Sequence, residues 1–167
     1  FSQISPISNG NWHDPTIWPA SQIPGNLDDI VIPSATTISL TGNVSVKSIT
    51  INGTLRAISG ADIQVMTEWI MVMGNTALFE IGTALNPFDA AHNCTITLTG
   101  LDDGDEIMGM GDKFIVAMNG GNIEFHGQQK VSWTNLGADV NSGSNQITMS
   151  SPVDWTVGDA IVIVSSN

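Results

Sequence analysis

Residues 126 to 136 read HGQQKVSWTNL and bring His126, Lys130 and Trp133 close together in the sequence. An imidazole, an amine and an indole are groups that can contact a sugar or an anion, and the chain has only four Lys and Arg residues. Side chains alternate between the two faces of a regular strand, so Lys130 and Trp133 should point to opposite faces. We therefore expect Trp133 to pack inward and keep His126 and Lys130 as candidate ligand-binding residues.

An acidic stretch, LDDGDE at 101–106, is the second candidate site, with Asp102, Asp103, Asp105 and Glu106 around one glycine. Carboxylates at this spacing suit Ca²⁺, which takes six to eight oxygen ligands. The twelve-residue EF-hand pattern does not continue, so a solvated turn between two strands is the alternative. Calcium is the one cofactor that the sequence suggests.

The signatures of familiar enzymes are missing: the sequence has no GxSxG, no HExxH, no P-loop and no Rossmann fingerprint. Glycoside hydrolysis needs two carboxyl groups about 5 to 10 Å apart across a bound sugar, and neighbours on an exposed turn do not provide that arrangement. His13, His92 and His126 are too far apart in sequence to indicate a zinc site. No catalytic residue is assigned.

The five tryptophans could provide stacking surfaces for sugar rings, and Trp12 and Trp18 are the candidates for that role. Tryptophan more often packs in a core or at its rim. We expect Trp69 and Trp155 to pack, and Trp12 and Trp18 to cover the open end of the fold.

The charge and hydropathy of the chain exclude several classes of partner. Its formal net charge of -12 repels phosphate backbones, so nucleic acid is not an expected partner. No apolar stretch approaches the roughly 20 residues of a membrane span. The chain starts with Phe1, and we interpret it as a mature product or an excised piece of a longer protein. Cys94 is alone, so no internal disulfide can form.

Nearly every segment after residue 28 has the period of two that is typical of strands, and Gly, Asn, Asp and Ser separate the runs. Three stretches align, beginning at Ile49, Ile70 and Phe114, with spacings of 70 - 49 = 21 and 114 - 70 = 44. The second spacing is close to twice the first, and ITLTG at Ile96 falls between. This pattern indicates stacked coils.

Coils of about twenty residues predict an all-β fold, a right-handed parallel β-helix. A β-sandwich is the alternative, since it also has short strands every 8 to 12 residues. Residues 1–27 lack the strand period and are predicted to form a capping loop over the first coil, with the coils in 28–167. Solenoid ends must be covered.

Several motifs together resemble the eight-glycine domain, an extracellular module of fibrocystin, of hyaluronan-processing proteins and of bacterial secreted proteins. They are WHDPTIWP, DDIVI, SITINGTL, ITLTGLDDGDE, GDKFIVAMNGGNIEFHGQQKVSWTNL and DWTVGDAIVI, and they span nearly the whole chain. The sequence departs from the family at Ala20, where glycine is expected, and at Asp28-Asp29, where Gly-Asp is expected.

The resemblance implies an extracellular or cell-surface β-helical module of a larger glycan-processing or adhesive protein, without catalysis of its own. A polysaccharide or glycoconjugate and the rest of the parent polypeptide are the partners it implies. The alternative function is part of a hyaluronidase-type depolymerase. A chain of charge -12 repels polyanionic hyaluronan, so a neutral or calcium-bridged glycan is the better expectation.

Overall fold

The alternating apolar pattern forms short strands in the computed structural model, which describes residues 3–101 and 106–164. The chain divides into two compact units, Phe1–Gln128 and Gln129–Asn167. The strands of the described residues all lie in the first unit, together with two 3₁₀ turns, Pro15–Ile17 and Pro19–Ser21. The strands are β1 Gln3–Ile4, β2 Gly10–Asn11, β3 Asp29–Ile32, β4 Thr37–Leu40, β5 Val44–Ser45, β6 Ser48–Ile51, β7 Thr54–Ala57, β8 Ile63–Thr67, β9 Trp69–Met73, β10 Leu78–Ile81, β11 Cys94–Leu98, β12 Ile115–Met118 and β13 Asn122–Phe125.

These strands form three sheets in which every pairing is parallel. The first sheet has the order β1-β3-β6-β9-β12, the second β2-β4-β7-β10-β13 and the third β5-β8-β11. Consecutive strands from β3 onward enter the first, second and third sheet in turn. The prediction of an all-β protein is confirmed, and each strand lies beside the strand one repeat earlier.

The strand register tests the predicted repeat. Ile49 pairs with Ile70, which confirms the spacing of 21. Ile70 pairs with Ile115, so the alignment with Phe114 was wrong by one residue. The strand that contains Ile96 pairs with β8 in the third sheet, so it does not start an additional repeat. The long second interval is one repeat enlarged by the connections before and after β11.

Side chains that point inward stack in columns, as in the series Ile30, Ile49 and Ile70, which are all 0% exposed. Burial falls toward the last strands: Ile115 is partly buried and Phe125 is 47% exposed. A strand in the middle of a sheet is covered by neighbours on both sides, whereas β12 and β13 are the last strands of their sheets. The core is therefore less well covered at β12 and β13 than at β3.

The start of the chain closes the opposite end of the core. Trp12 and Trp18 are each 1% exposed and pack edge to face, with ring centroids 5.0 Å apart. The indole Nε1–H of Trp18 donates to the buried carbonyl of Trp12 at 2.8 Å. Asp14 caps the first 3₁₀ turn by accepting a hydrogen bond from the Thr16 amide at 2.9 Å. Both tryptophans therefore pack as expected.

The predicted capping loop also contains two elements that its sequence did not indicate. The short strands β1 and β2 extend the first and second sheets by one strand each. Ala20, which stands where glycine was expected, has a φ of 55°. That left-handed conformation is the one that glycine adopts without steric cost.

In the second unit, the described residues 129–164 contain no strand and one antiparallel bridge, between Leu136 and Met149. Trp133 is 73% exposed, so the expectation that it packs inward was wrong. That expectation assumed a regular strand on the coil stack, and no such strand forms here. Trp155 does pack: it is half-buried, and its Nε1–H donates to the Val131 carbonyl.

Candidate functional site

A cleft of the first unit lies where the strands of the first sheet begin, and its volume is about 370 Å³. We call it the strand-entry cleft. It is lined by Asp29, Lys47, Glu68, Trp69, Gly100, Leu101, Ile107 and Asp112. Its size is within the range of small-ligand sites, about 300 to 1,000 Å³.

Parallel register places the polar residues of this cleft beside one another. Asp29, Ser48 and Trp69 occupy equivalent positions on β3, β6 and β9. Lys47 and Glu68 stand one residue earlier, and the Glu68 amide donates to the Lys47 carbonyl at 2.8 Å. Residues about twenty positions apart in sequence therefore meet at one edge of the sheet.

Buried hydroxyl groups hold this edge in place. Ser48 is 2% exposed and donates to Oδ1 of Asp29 at 2.6 Å, which fixes that carboxylate. Thr67 is 0% exposed and donates to the Lys47 carbonyl at 3.0 Å. Both hydroxyl groups satisfy polar atoms that would otherwise be costly to bury.

Trp69 supplies an aromatic wall of the cleft. Its ring stacks on Phe114, the residue just before β12, with centroids 5.6 Å apart and planes 15° apart. This offset stacking supports the indole from one side. Trp69 is half-buried, so it packs as expected and still contributes surface to the cleft.

Asp112 provides an acceptor that lacks a partner. Its Oδ2 is buried and has no hydrogen-bond partner among the described residues. Gly100 fits tightly against the same residue, because a Cβ at Gly100 would lie 2.3 Å from the Asp112 carbonyl oxygen. A buried acceptor of this kind is normally satisfied by a donor, such as a ligand hydroxyl or a water molecule.

The cleft thus combines carboxylate acceptors, an ammonium donor and an indole surface. Carboxylates accept hydrogen bonds from hydroxyl groups, and indole packs on apolar ring faces. No set of three or more His, Cys, Asp or Glu side chains that could hold a metal is found in residues 3–101 and 106–164. The carboxylates and the indole together suit a ligand that carries both hydroxyl groups and an apolar ring face.

The predicted calcium ligands Asp102, Asp103 and Asp105 lie outside the described residues, and Glu106 is exposed. The residues on either side of this segment, Leu101 and Ile107, line the strand-entry cleft. Calcium binding stays a prediction.

The predicted ligand residues His126 and Lys130 fall in different units. His126 directly follows β13, and its Nε2 lies 3.8 Å from Oε2 of Glu124. Lys130 belongs to the second unit, where its Nζ lies 3.7 Å from Oδ2 of Asp159. A backbone hydrogen bond from Thr156 and the charge of Lys130 hold the pKa of Asp159 below its ordinary value. Each candidate thus has an acidic partner.

Trp12 and Trp18 were the other predicted ligand residues, and both rings are covered by protein. Neither offers an open face to a sugar. The residues of the strand-entry cleft were not predicted, although the sequence contains a pattern that could have indicated them. β3 begins with the charged residue Asp29, and β6 and β9 directly follow the charged residues Lys47 and Glu68.

The comparisons with known proteins are consistent with a module of larger proteins. A family model described as the G8 domain matches residues 17–137. A G8 domain-containing protein of Dictyostelium discoideum is 30% identical over 167 residues, which cover 93% of this chain and 14% of that protein. Dog fibrocystin is 30% identical over 180 residues, covering 99% of this chain and 4% of fibrocystin.

The mouse cell migration-inducing and hyaluronan-binding protein is 34% identical over 112 residues, covering 64% of this chain and 8% of that protein. The chain therefore spans 4% to 14% of the length of these three relatives. No solved structure gives a significant match. Within the described residues, none of the helices is long and apolar enough to cross a membrane.

Proposed function

Because the chain belongs to the G8 domain family, we propose that it is a non-catalytic extracellular module of a larger protein. We further propose that it binds neutral glycans in the strand-entry cleft. In this proposal the three parallel sheets wind as a right-handed β-helix. The strand order supports winding, because consecutive strands enter three sheets in turn and every pairing is parallel. A β-sandwich of the immunoglobulin type is instead built from antiparallel pairs.

The single observation that supports glycan binding is the composition of the strand-entry cleft. Trp69 offers an indole surface, Asp29 and Glu68 offer acceptors for hydroxyl groups, and Oδ2 of Asp112 lacks a donor among the described residues. Sugar rings carry both an apolar face and many hydroxyl donors, so they match this combination.

The charge of the cleft favours a neutral glycan over a polyanion. Three carboxylates and one ammonium group line it, within a chain of formal net charge -12. Repulsion of this kind acts within about 8 Å at physiological salt. One relative is named as hyaluronan-binding, whereas the strand-entry cleft of this chain is proposed to prefer uncharged sugars.

Calorimetric titration of the purified chain with neutral oligosaccharides, such as chito- and cello-oligosaccharides, tests the proposal. Trp69→Ala should weaken binding about fivefold, since aromatic stacking contributes on the order of 1 kcal/mol. Trp133→Ala removes an exposed tryptophan from the second unit and is the matched control. Equal weakening by both variants, or no binding to any neutral glycan, would contradict the assignment.

The calcium prediction can be tested in the same titrations. Binding measured with added CaCl₂ and again with EDTA separates a calcium-bridged glycan from one held by the cleft alone. If the segment 102–106 binds calcium, affinity should fall with EDTA and recover when calcium is restored.

A polysaccharide depolymerase of the hyaluronidase type is the alternative. Incubation of the purified chain with hyaluronan and related glycans, followed by a reducing-end assay, distinguishes the two. We expect no new reducing ends. Their release at a rate that depends on protein concentration would establish catalysis and replace the proposed function.

A further inference from the structure

A second cleft of the first unit, separate from the strand-entry cleft, has a volume of about 290 Å³. It lies at the ends of β7 and β10. The polar residues that line it are Arg56, Ser59, Glu80, Thr83 and Asn86, and we call it the donor pocket. The residues of the donor pocket differ from those that line the strand-entry cleft.

Arg56 is the only arginine of the chain, and a buried carboxylate holds it in place. Its Nε–H pairs with Oε2 of Glu80, whose side chain is 8% exposed while that of Arg56 is 46% exposed. Among the described residues, the guanidinium makes no other hydrogen bond, so its two Nη groups remain as donors. Glu80 therefore orients the guanidinium through one edge and leaves the other for a ligand.

The two hydroxyl groups of the pocket are also left as donors. Oγ of Ser59 accepts the backbone N–H of Asp89 at 3.0 Å. Oγ1 of Thr83 accepts the backbone N–H of Asn86 at 2.9 Å. A hydroxyl group that accepts from the backbone still has its own hydrogen to donate. The side-chain amide of Asn86 adds two further N–H groups.

We propose that the donor pocket binds a carboxylate, carried by a sugar acid or by a small organic acid. A carboxylate has only acceptors, and its two oxygens match the paired N–H groups of a guanidinium. A neutral sugar hydroxyl can also accept from these groups, but its single oxygen does not match the paired N–H groups of the guanidinium as the two oxygens of a carboxylate do. The pocket is small, so it fits one acid group with the ring or carbon chain next to it.

Nearby acidic residues oppose this binding and set its expected strength. Glu80 offsets the charge of Arg56, and Glu124 stands opposite Glu80 in the strand register. Glu124 has its own neighbour, Nε2 of His126 at 3.8 Å. Binding therefore depends on directed hydrogen bonds more than on net charge. We expect a modest affinity that depends on the paired N–H groups of the guanidinium.

The single arginine makes a direct test possible. In a ¹⁵N-labelled sample of the whole chain, the Arg56 Nε–H gives one resonance of its kind. Titration with sodium glucuronate should shift it with saturation, whereas glucose at the same concentration should not. Sodium acetate distinguishes the two sources: a shift with both acids indicates a general carboxylate site, and a shift with glucuronate alone indicates a sugar acid.

Arg56→Lys keeps the positive charge and removes the paired N–H groups, so glucuronate affinity, followed through the backbone amide of Ser59, should fall about tenfold or more. Lys130→Gln removes a positive charge from the second unit and should leave affinity unchanged. Thermal melts of both variants confirm that they fold. An Arg56→Lys protein that binds glucuronate as well as the parent chain, or an Arg56 resonance that no acid shifts, would overturn the proposal.

Discussion

Gly53 is a position where adding one methyl group should be strongly destabilising. It lies between β6 and β7, and its amide donates to the Ile32 carbonyl while its own carbonyl accepts from Leu78. A Cβ at Gly53 would lie 2.3 Å from the carbonyl oxygens of both Pro33 and Thr36. Carbon and oxygen atoms in close contact normally lie about 3.3 Å apart or more, so each carbonyl would have to move by about 1 Å.

Those carbonyl groups cannot move without breaking other hydrogen bonds. The Thr36 carbonyl accepts from the Thr54 amide at 2.8 Å, and the Pro33 carbonyl accepts from the Thr36 amide at 3.1 Å. Overpacking costs about 1 to 3 kcal/mol, and a clash with two bonded backbone groups belongs at the upper end. For a chain of this length, about 3 kcal/mol corresponds to a decrease in Tm of roughly 6 to 12 °C.

Differential scanning calorimetry of Gly53→Ala measures this decrease. Gly127→Ala is the matched control, because a Cβ at Gly127 meets nothing within 4 Å and its φ is not in the left-handed region. The control should change the free energy of unfolding by no more than about 0.5 kcal/mol. If the Tm of Gly53→Ala lies within roughly 2 °C of the Tm of the control, the clash with the two carbonyl groups costs much less free energy than expected.

Four further changes have defined outcomes. Trp18→Phe leaves a buried backbone carbonyl without its donor and should lower the free energy of unfolding by about 1 to 3 kcal/mol, measured by urea denaturation. Ala20→Gly removes left-handed strain and should raise that free energy by up to about 1 kcal/mol in the same assay. Burial raises the pKa of the Cys94 thiol, so iodoacetamide at pH 8 should label it more slowly in the folded protein than in urea. The hydrogen bond with His92 holds the pKa of Asp89 below its ordinary value of 3.8. The stabilisation that Asp89 provides is therefore present above pH 3.8 and is lost as the pH falls below it. His92→Ala should raise the NMR titration midpoint of the Asp89 carboxyl toward 3.8.

The strands between residues 29 and 125 and the first repeat were predicted correctly, whereas the strands predicted after residue 129 do not form within the described residues 129–164. Apolar residues at every second position mark strands, and Ile49 and Ile70 pair because equivalent residues of successive repeats become neighbours. The later register was wrong because Phe114 and Ile115 are both apolar, so the pattern alone cannot choose between them. The long connections around β11 then resembled an additional coil, since a spacing of about 44 residues is close to twice 21.

The candidate site was not predicted because its residues meet only after folding. Asp29, Glu68 and Asp112 lie on different strands or connections, and no short motif contains them together. By contrast, the prominent stretch from His126 to Trp133 attracted attention because its residues are adjacent in sequence. The boundary between the two units falls within that stretch, so adjacency in sequence did not indicate a shared site.

The strand order has a consequence for how a disturbance spreads through the first unit. Each strand is hydrogen-bonded only to the strand one repeat before it and the strand one repeat after it, so β3 pairs with β1 and β6 but not with β9. The first unit therefore approximates a one-dimensional lattice with nearest-neighbour coupling. A substitution at Ile30 acts directly on the strand of Ile49 and reaches Ile115 only through the strands between them, so energetic coupling should decay with the number of repeats and not with distance in the sequence.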